Sequence, residues 1–338
     1  ASLYVFDPGL HSALTAFPWL IDGGMALGAL IMTGVFFATA GTAILSGYVS
    51  LWFMGIGLLS IVGLLGLNAG LDLLDFVTDV QPLALALGAL FIERATALLW
   101  LLPMAYATLL YVVPRTVDRL LESSGVAVLA WFAWFVTAPI ASLSNVVDTS
   151  IPFFVTSMAS AATMLLLLPV ALVIANLVQT ARGRWTLLFG TGPAALAAVA
   201  LAFLLGASML DAVGALRSVR AWIGDTDWAA GVSIWMLLGA FTMAAVAFVE
   251  HALPRVLRRD WGRNPFSVVQ LWTIFAGTTI AGIALIGAGM AEGSFRSQGA
   301  DADAIAAGLL GYQLVAFAGI GLVALGALGS AHAAGGAT

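Results

Sequence analysis

The chain has 338 residues, 62% of them apolar and only 9% charged, where a soluble domain carries roughly 25%, so it cannot cover a surface in water. Its formal net charge of -5 is spread over loops and suggests no nucleic-acid partner. The lack of cysteine excludes disulfides, thiolate metal sites and iron–sulfur ligation. No basic stretch precedes the first apolar run, so no cleavable signal peptide is expected.

A helix needs roughly 20 apolar residues to cross the hydrocarbon core of a bilayer. Nine stretches meet this, in chain order near Trp19–Leu45, Tyr48–Leu71, Pro82–Val113, Gly125–Val147, Ile151–Thr180, Trp185–Leu210, Trp228–Leu253, Phe266–Ala291 and Ala304–Ala331. They are too long and continuous for barrel strands, and only helices and closed barrels satisfy the backbone in lipid. The connections are short, so residues 1–338 are read as a single membrane domain.

All twelve basic residues are arginines. If the first helix enters from outside, the inward loops hold Arg115, Arg119, Arg182, Arg184, Arg255, Arg258, Arg259 and Arg263. The outward loops hold Arg217, Arg220 and Arg296, and Arg94 falls inside or near the third helix. This bias predicts the N-terminus outside and the C-terminus inside. An acidic loop with Asp72, Asp75 and Asp79 then faces outward. The abundant glycines, among them Gly23, Gly24, Gly28 and Gly34, are expected on faces where helices meet closely. The eleven tryptophans and five tyrosines fit interfacial belts.

One internal repeat is visible. The third helix ends in Leu110-Tyr111-Val112-Val113-Pro114-Arg115, and the seventh in Glu250-His251-Ala252-Leu253-Pro254-Arg255. Proline ends each apolar run and arginine anchors it at headgroup level.

The stretch Asp227-Trp228 through Gly231, then Leu253-Pro254-Arg255, Trp272 and Gly289-Met290-Ala291-Glu292-Gly293, resembles the last third of the catalytic subunit of haem-copper oxidases. The similarity is greatest to the cbb-type branch and the related nitric oxide reductases. In that family a helix begins Asp-Trp-x-x-Gly-His-x-His and closes on a Pro-Arg turn. Phe91 to Arg119 resembles an earlier helix that carries a copper ligand, so the resemblance covers roughly Phe91–Gly293. It implies an all-α polytopic bundle like a truncated haem-copper oxidase subunit I, without the first three of the family's twelve helices.

The resemblance also sets ligand positions against residues. The two haem-ligand positions fall at Val232 and Ile234, and a copper-ligand position falls at Arg94. A further histidine pair of the family would fall near Ala138-Pro139-Ile140-Ala141, which holds none. Haem iron needs an axial donor and copper needs imidazoles. The resemblance therefore implies the fold and argues against oxygen reduction by this chain alone.

Ionisable groups in hydrocarbon are costly and ask for a reason. Glu93 and Arg94 lie in the outer half of the third helix. They are read either as a polar remnant of a cofactor site, open to a quinone head, a lipid phosphate or a proton, or as a buried ion pair with a neighbouring helix or subunit. Glu250 and His251 are read either as a proton entry site or as interfacial residues. Together these four make a candidate polar pocket. Asn145, Asp148, Asn176 and Gln179 are expected in packing or headgroup contacts, and His11 at the outer surface. No catalytic triad, phosphate loop or metal-ligand spacing appears.

The expected function is that of a membrane subunit, free of cofactors itself, in a multi-subunit respiratory or electron-transfer complex. Haem or other redox centres are expected on partner subunits. The expected partners are other membrane and redox subunits, lipids and a quinone, and the expected location is a prokaryotic cytoplasmic membrane. Two alternatives stand beside it. One is a proton or small-molecule transporter or channel using Glu93, Arg94 and Glu250. The other is an oxidoreductase whose haem is ligated partly by a partner chain.

Overall fold

Apolar runs of this length must bond their backbones internally in lipid. In the computed structural model, which describes residues 18–78, 82–146, 152–190, 192–258 and 265–335, every regular element is helical. Among the described residues nine helices are long and apolar enough to cross a membrane. They are α1 (Trp19–Ile44), α2 (Val49–Thr78), α3 (Leu83–Thr116), α4 (Ser124–Val146), α5 (Phe153–Thr180), α6 (Gly192–Gly214), α7 (Trp228–Val256), α8 (Leu271–Ser297) and α9 (Ala302–Gly326). Short helices Trp185–Gly190 and Arg217–Ile223 flank α6.

Three expectations are corrected. Trp185 begins a short helix separate from α6, not the sixth span itself. Asp72 and Asp75 belong to α2, not to a loop. Polar contacts carry this helix past its apolar run, since Asn68 donates to Asp22 of α1 and Asp72 interacts with Asp22. Third, among the described residues Gly23, Gly24, Gly28 and Gly34 meet no neighbour within 4 Å of a would-be Cβ, and only 11% of the most apolar window of α1 is buried within the chain. Asp79, Asp148, His11, Arg259 and Arg263 lie outside the described residues.

The chain forms two compact units. The first lies within residues 1–104 and 138–159, the second within 105–137 and 160–338. In the first unit α1 packs on α2, with Thr33 Oγ1 bonded to its own Ala29 carbonyl at 2.7 Å and reaching the Leu58 carbonyl at 3.3 Å. The first half of α3 packs on the end of α4, where the helix tightens to a 3₁₀ turn over Ser142–Val146.

In the second unit α8 and α9 form the most extensive pairing, almost backbone to backbone. A methyl on Gly277 would lie 2.6 Å from the Gly319 carbonyl oxygen, and one on Gly319 2.7 Å from the Ala281 nitrogen. Small residues allow this approach where helices gain nothing by excluding lipid. A loop clamp holds α5 to the α3–α4 connection. Buried Asn176 accepts the Ser123 N–H at 3.1 Å and donates to the Ser123 carbonyl at 2.8 Å, and Thr180 Oγ1 accepts the Glu122 N–H at 3.0 Å. Asn176 is thus the packing residue expected.

Candidate functional site

The start of α7 is fixed to the end of α8. The Asp227 N–H donates to Glu292 Oε2 at 3.4 Å, Glu292 pairs with Arg296, and Arg296 Nη2 donates to the Asp225 carbonyl at 3.2 Å. Trp228 lies against the backbone at Gly289, and the Trp222 carbonyl against Gly293. One step further in, a methyl on Gly231 would be 2.8 Å from the Ile286 nitrogen and 2.9 Å from the Gly282 oxygen. Asp227, Trp228, Gly231, Gly289, Glu292 and Gly293 therefore form one helix–helix interface. Trp272 stands outside it, 61% exposed.

Val232 is buried and Ile234 half-buried on the turn that leads into a π-helical segment, Trp235–Thr242. Arg94 has the same setting in α3, half-buried just before a π-segment at Thr96–Leu101. Each π-segment is followed by the helix that ends in Pro-Arg, so the repeat seen in the sequence extends to backbone geometry. A π-segment widens a helix locally and often marks a functional site. Sequence periodicity does not reveal it.

Aromatic side chains fill the space beside α7. The Trp235 indole fits against Gly282 of α8 and Gly206 of α6, where an added methyl would lie 3.1 Å from its ring. Phe203 sits in the notch at Gly239. Its ring is 5.8 Å from Trp235 and 5.6 Å from Phe275, centroid to centroid. These residues do not fit a haem or copper centre. Val232 and Ile234 carry no donor atom, and Arg94 is a permanent cation that repels a metal ion. Among the described residues no three His, Cys, Asp or Glu side chains group as a metal site. Near the other family ligand pair, Ala138 and Ala141 are fully buried and Ser142 bonds back to the Ala138 carbonyl at 2.8 Å.

The four residues of the candidate polar pocket fall in different units, Glu93 and Arg94 in the first, Glu250 and His251 in the second. Glu93 is exposed while Arg94 is half-buried, as expected for neighbours that point about 100° apart on a helix. Glu250 approaches the N-terminus of α6, with Oε2 3.0 Å from a would-be Cβ at Gly192. His251 is 4% exposed and meets Tyr111 of α3 edge to face, ring centroids 5.7 Å apart.

A multi-pass helical bundle whose Asp-Trp and Gly-Met-Ala-Glu-Gly segments lock two helices together defines an oxidase-like integral membrane protein. The chain belongs to the cytochrome c and quinol oxidase polypeptide I family, whose sequence pattern matches residues 4–323. No curated protein matches the chain.

Proposed function

We infer that this chain is an oxidase-like membrane subunit that holds no haem or copper of its own and serves in a multi-subunit electron-transfer complex of a prokaryotic cytoplasmic membrane. In this reading it docks partner chains that carry the redox centres. One observation carries the reading: Val232, Ile234 and Arg94 stand where the family resemblance needs imidazoles.

The test is to purify the complex gently, identify its chains, and apply a pyridine haemochrome assay to the separated subunit. The expected result is no haem on this chain and at least one further membrane subunit in fixed ratio. Stoichiometric haem coordinated by this chain would overturn the proposal. A stable, monodisperse monomer active in transport would favour the transporter reading instead.

A further inference from the structure

Hydropathy runs Trp185 into the sixth span, yet Trp185–Gly190 is a short helix apart from α6. It lies between the end of α5 at Thr180 and the start of α6 at Gly192, where two spanning helices leave the hydrocarbon. The chain reverses at Gly183, whose φ of 78° suits a residue without a Cβ. Leu188 is buried and seats the short helix, while Trp185 and Phe189 are 42% and 65% exposed. These two rings stand one turn apart on the same face and stack, with centroids 6.4 Å apart and planes at 21°.

The α3–α4 connection is fastened to this segment. Arg119 Nη1 donates to the Arg182 carbonyl at 3.0 Å. Arg184 Nη1 donates to the Val117 carbonyl at 2.8 Å and lies 3.9 Å from Asp118 Oδ2. A guanidinium has five N–H donors, so Arg119 keeps most of its own for a further partner, and Arg182 enters this contact through its backbone. Both arginine side chains are exposed. Asp118 and Glu122 are the acidic groups of the two connections. Against them stand Arg119, Arg182 and Arg184, so positive charge predominates.

We propose that Trp185–Gly190 is an interfacial helix docked on an acidic phospholipid surface, with Trp185 and Phe189 entering the upper acyl region and Arg119 and Arg182 meeting headgroup phosphates at the same level. Exposed rings at the foot of two spans are costly in water, and tryptophan favours the headgroup region. Helices that lie in this zone join such rings to basic side chains. Arginine stays charged at any ordinary pH and pairs with phosphate oxygens. A surface requires only that rings and guanidinium groups share a level. The Arg119–Arg182 contact and the short step from Arg182 to Trp185 keep them together. This reading depends on neither a haem nor a partner subunit.

The experiment attaches an NBD fluorophore to Phe189→Cys in the full chain, which has no other cysteine, held in phosphatidylcholine nanodiscs. Lipid with a doxyl group high on its acyl chain should quench the fluorophore strongly, and aqueous iodide weakly. The same label on Ser297→Cys, exposed at the α8–α9 connection, should show the reverse. At equal mole fraction, doxyl-phosphatidylglycerol should quench the Phe189→Cys label better than doxyl-phosphatidylcholine. Arg182→Gln should reduce that preference about fivefold, and it leaves the Arg119 contact in place because that contact is made to a carbonyl. Arg217→Gln, beyond the opposite end of α6, should leave the preference unchanged. If Phe189→Cys does not stay monodisperse, Trp185→Cys carries the label instead. Iodide quenching as strong as at Ser297→Cys overturns the interfacial placement. Protection from both quenchers means that protein covers the rings, and overturns it too. A phosphatidylglycerol preference that is absent, or unchanged in Arg182→Gln, overturns the acidic-lipid assignment.

Discussion

Trp235 and Gly282 fit as ring and notch, and the fit leaves no room for a methyl group. Gly282→Ala forces the indole or α8 to shift, and overpacking of this kind costs about 1–3 kcal/mol. The expected outcome is a lower Tm in detergent, partly recovered in Gly282→Ala/Trp235→Leu, where the smaller side chain makes room. Full additivity of the two changes would show that they do not share this space. Arg94 makes a different demand. A charge held within a span costs about 2.5 kcal/mol or more near the centre on insertion scales, so its retention implies interactions that repay it. For the proposed complex, Arg94→Leu should lower the amount assembled, and Arg94→Lys should preserve part of it. Arg94→His should create no metal site, because the neighbouring positions supply no further donors. Assembly of Arg94→Leu at the wild-type level, quantified from membranes, would mean that Arg94 merely extends to the interface.

Among elements, the α5 clamp is the most exposed to test. Asn176 satisfies both backbone groups of Ser123 with one amide. Asn176→Ala leaves them and loosens the 116–124 connection, at a cost of about 1–3 kcal/mol if they stay buried. Trypsin should then cut at Arg119 faster than in wild type, while cleavage elsewhere is unchanged. The π-segments of α3 and α7 carry a second lesson at this scale. Each follows a position that the family resemblance assigns to a metal-ligand histidine, yet here those positions hold Arg94, Val232 and Ile234. The backbone irregularity is present here although none of these three positions carries an imidazole. Its neighbours explain why it is tolerated: Phe203 and Trp235 interlock with Gly239, Gly206 and Gly282 around the widened turn of α7.

For the whole molecule, the nine candidate spans among the described residues are an odd number, which predicts that α1 begins and α9 ends on opposite sides of the membrane. The arginine bias predicts the α3–α4 connection inside and the α8–α9 connection outside. Ser124 and Ser297 are exposed at those two connections in a chain without cysteine. Ser124→Cys and Ser297→Cys should therefore label from opposite sides of a sealed membrane. Labelling of both from one side would refute the crossing count or the orientation.

Hydropathy alone determined that this is a multi-pass helical membrane protein, because a backbone in lipid has so few solutions that run length suffices. The nine spans follow from it to within a few residues, except where polar contacts extend α2 to Thr78 and where Trp185 starts its own helix. The family was legible from Asp227-Trp228, the Pro-Arg turns and Gly289 to Gly293, since short motifs at fixed spacing survive in one dimension. Which glycines pack was not legible: among the described residues Gly23, Gly24, Gly28 and Gly34 have open space, while Gly231, Gly277, Gly282 and Gly319 lie against backbone or rings. A glycine reports only that close approach is allowed, and the partner helix decides whether it occurs. The meeting of Tyr111, Arg115, His251 and Arg255 likewise needed the tertiary structure, because their proximity depends on how α3 and α7 pack and not on any local pattern.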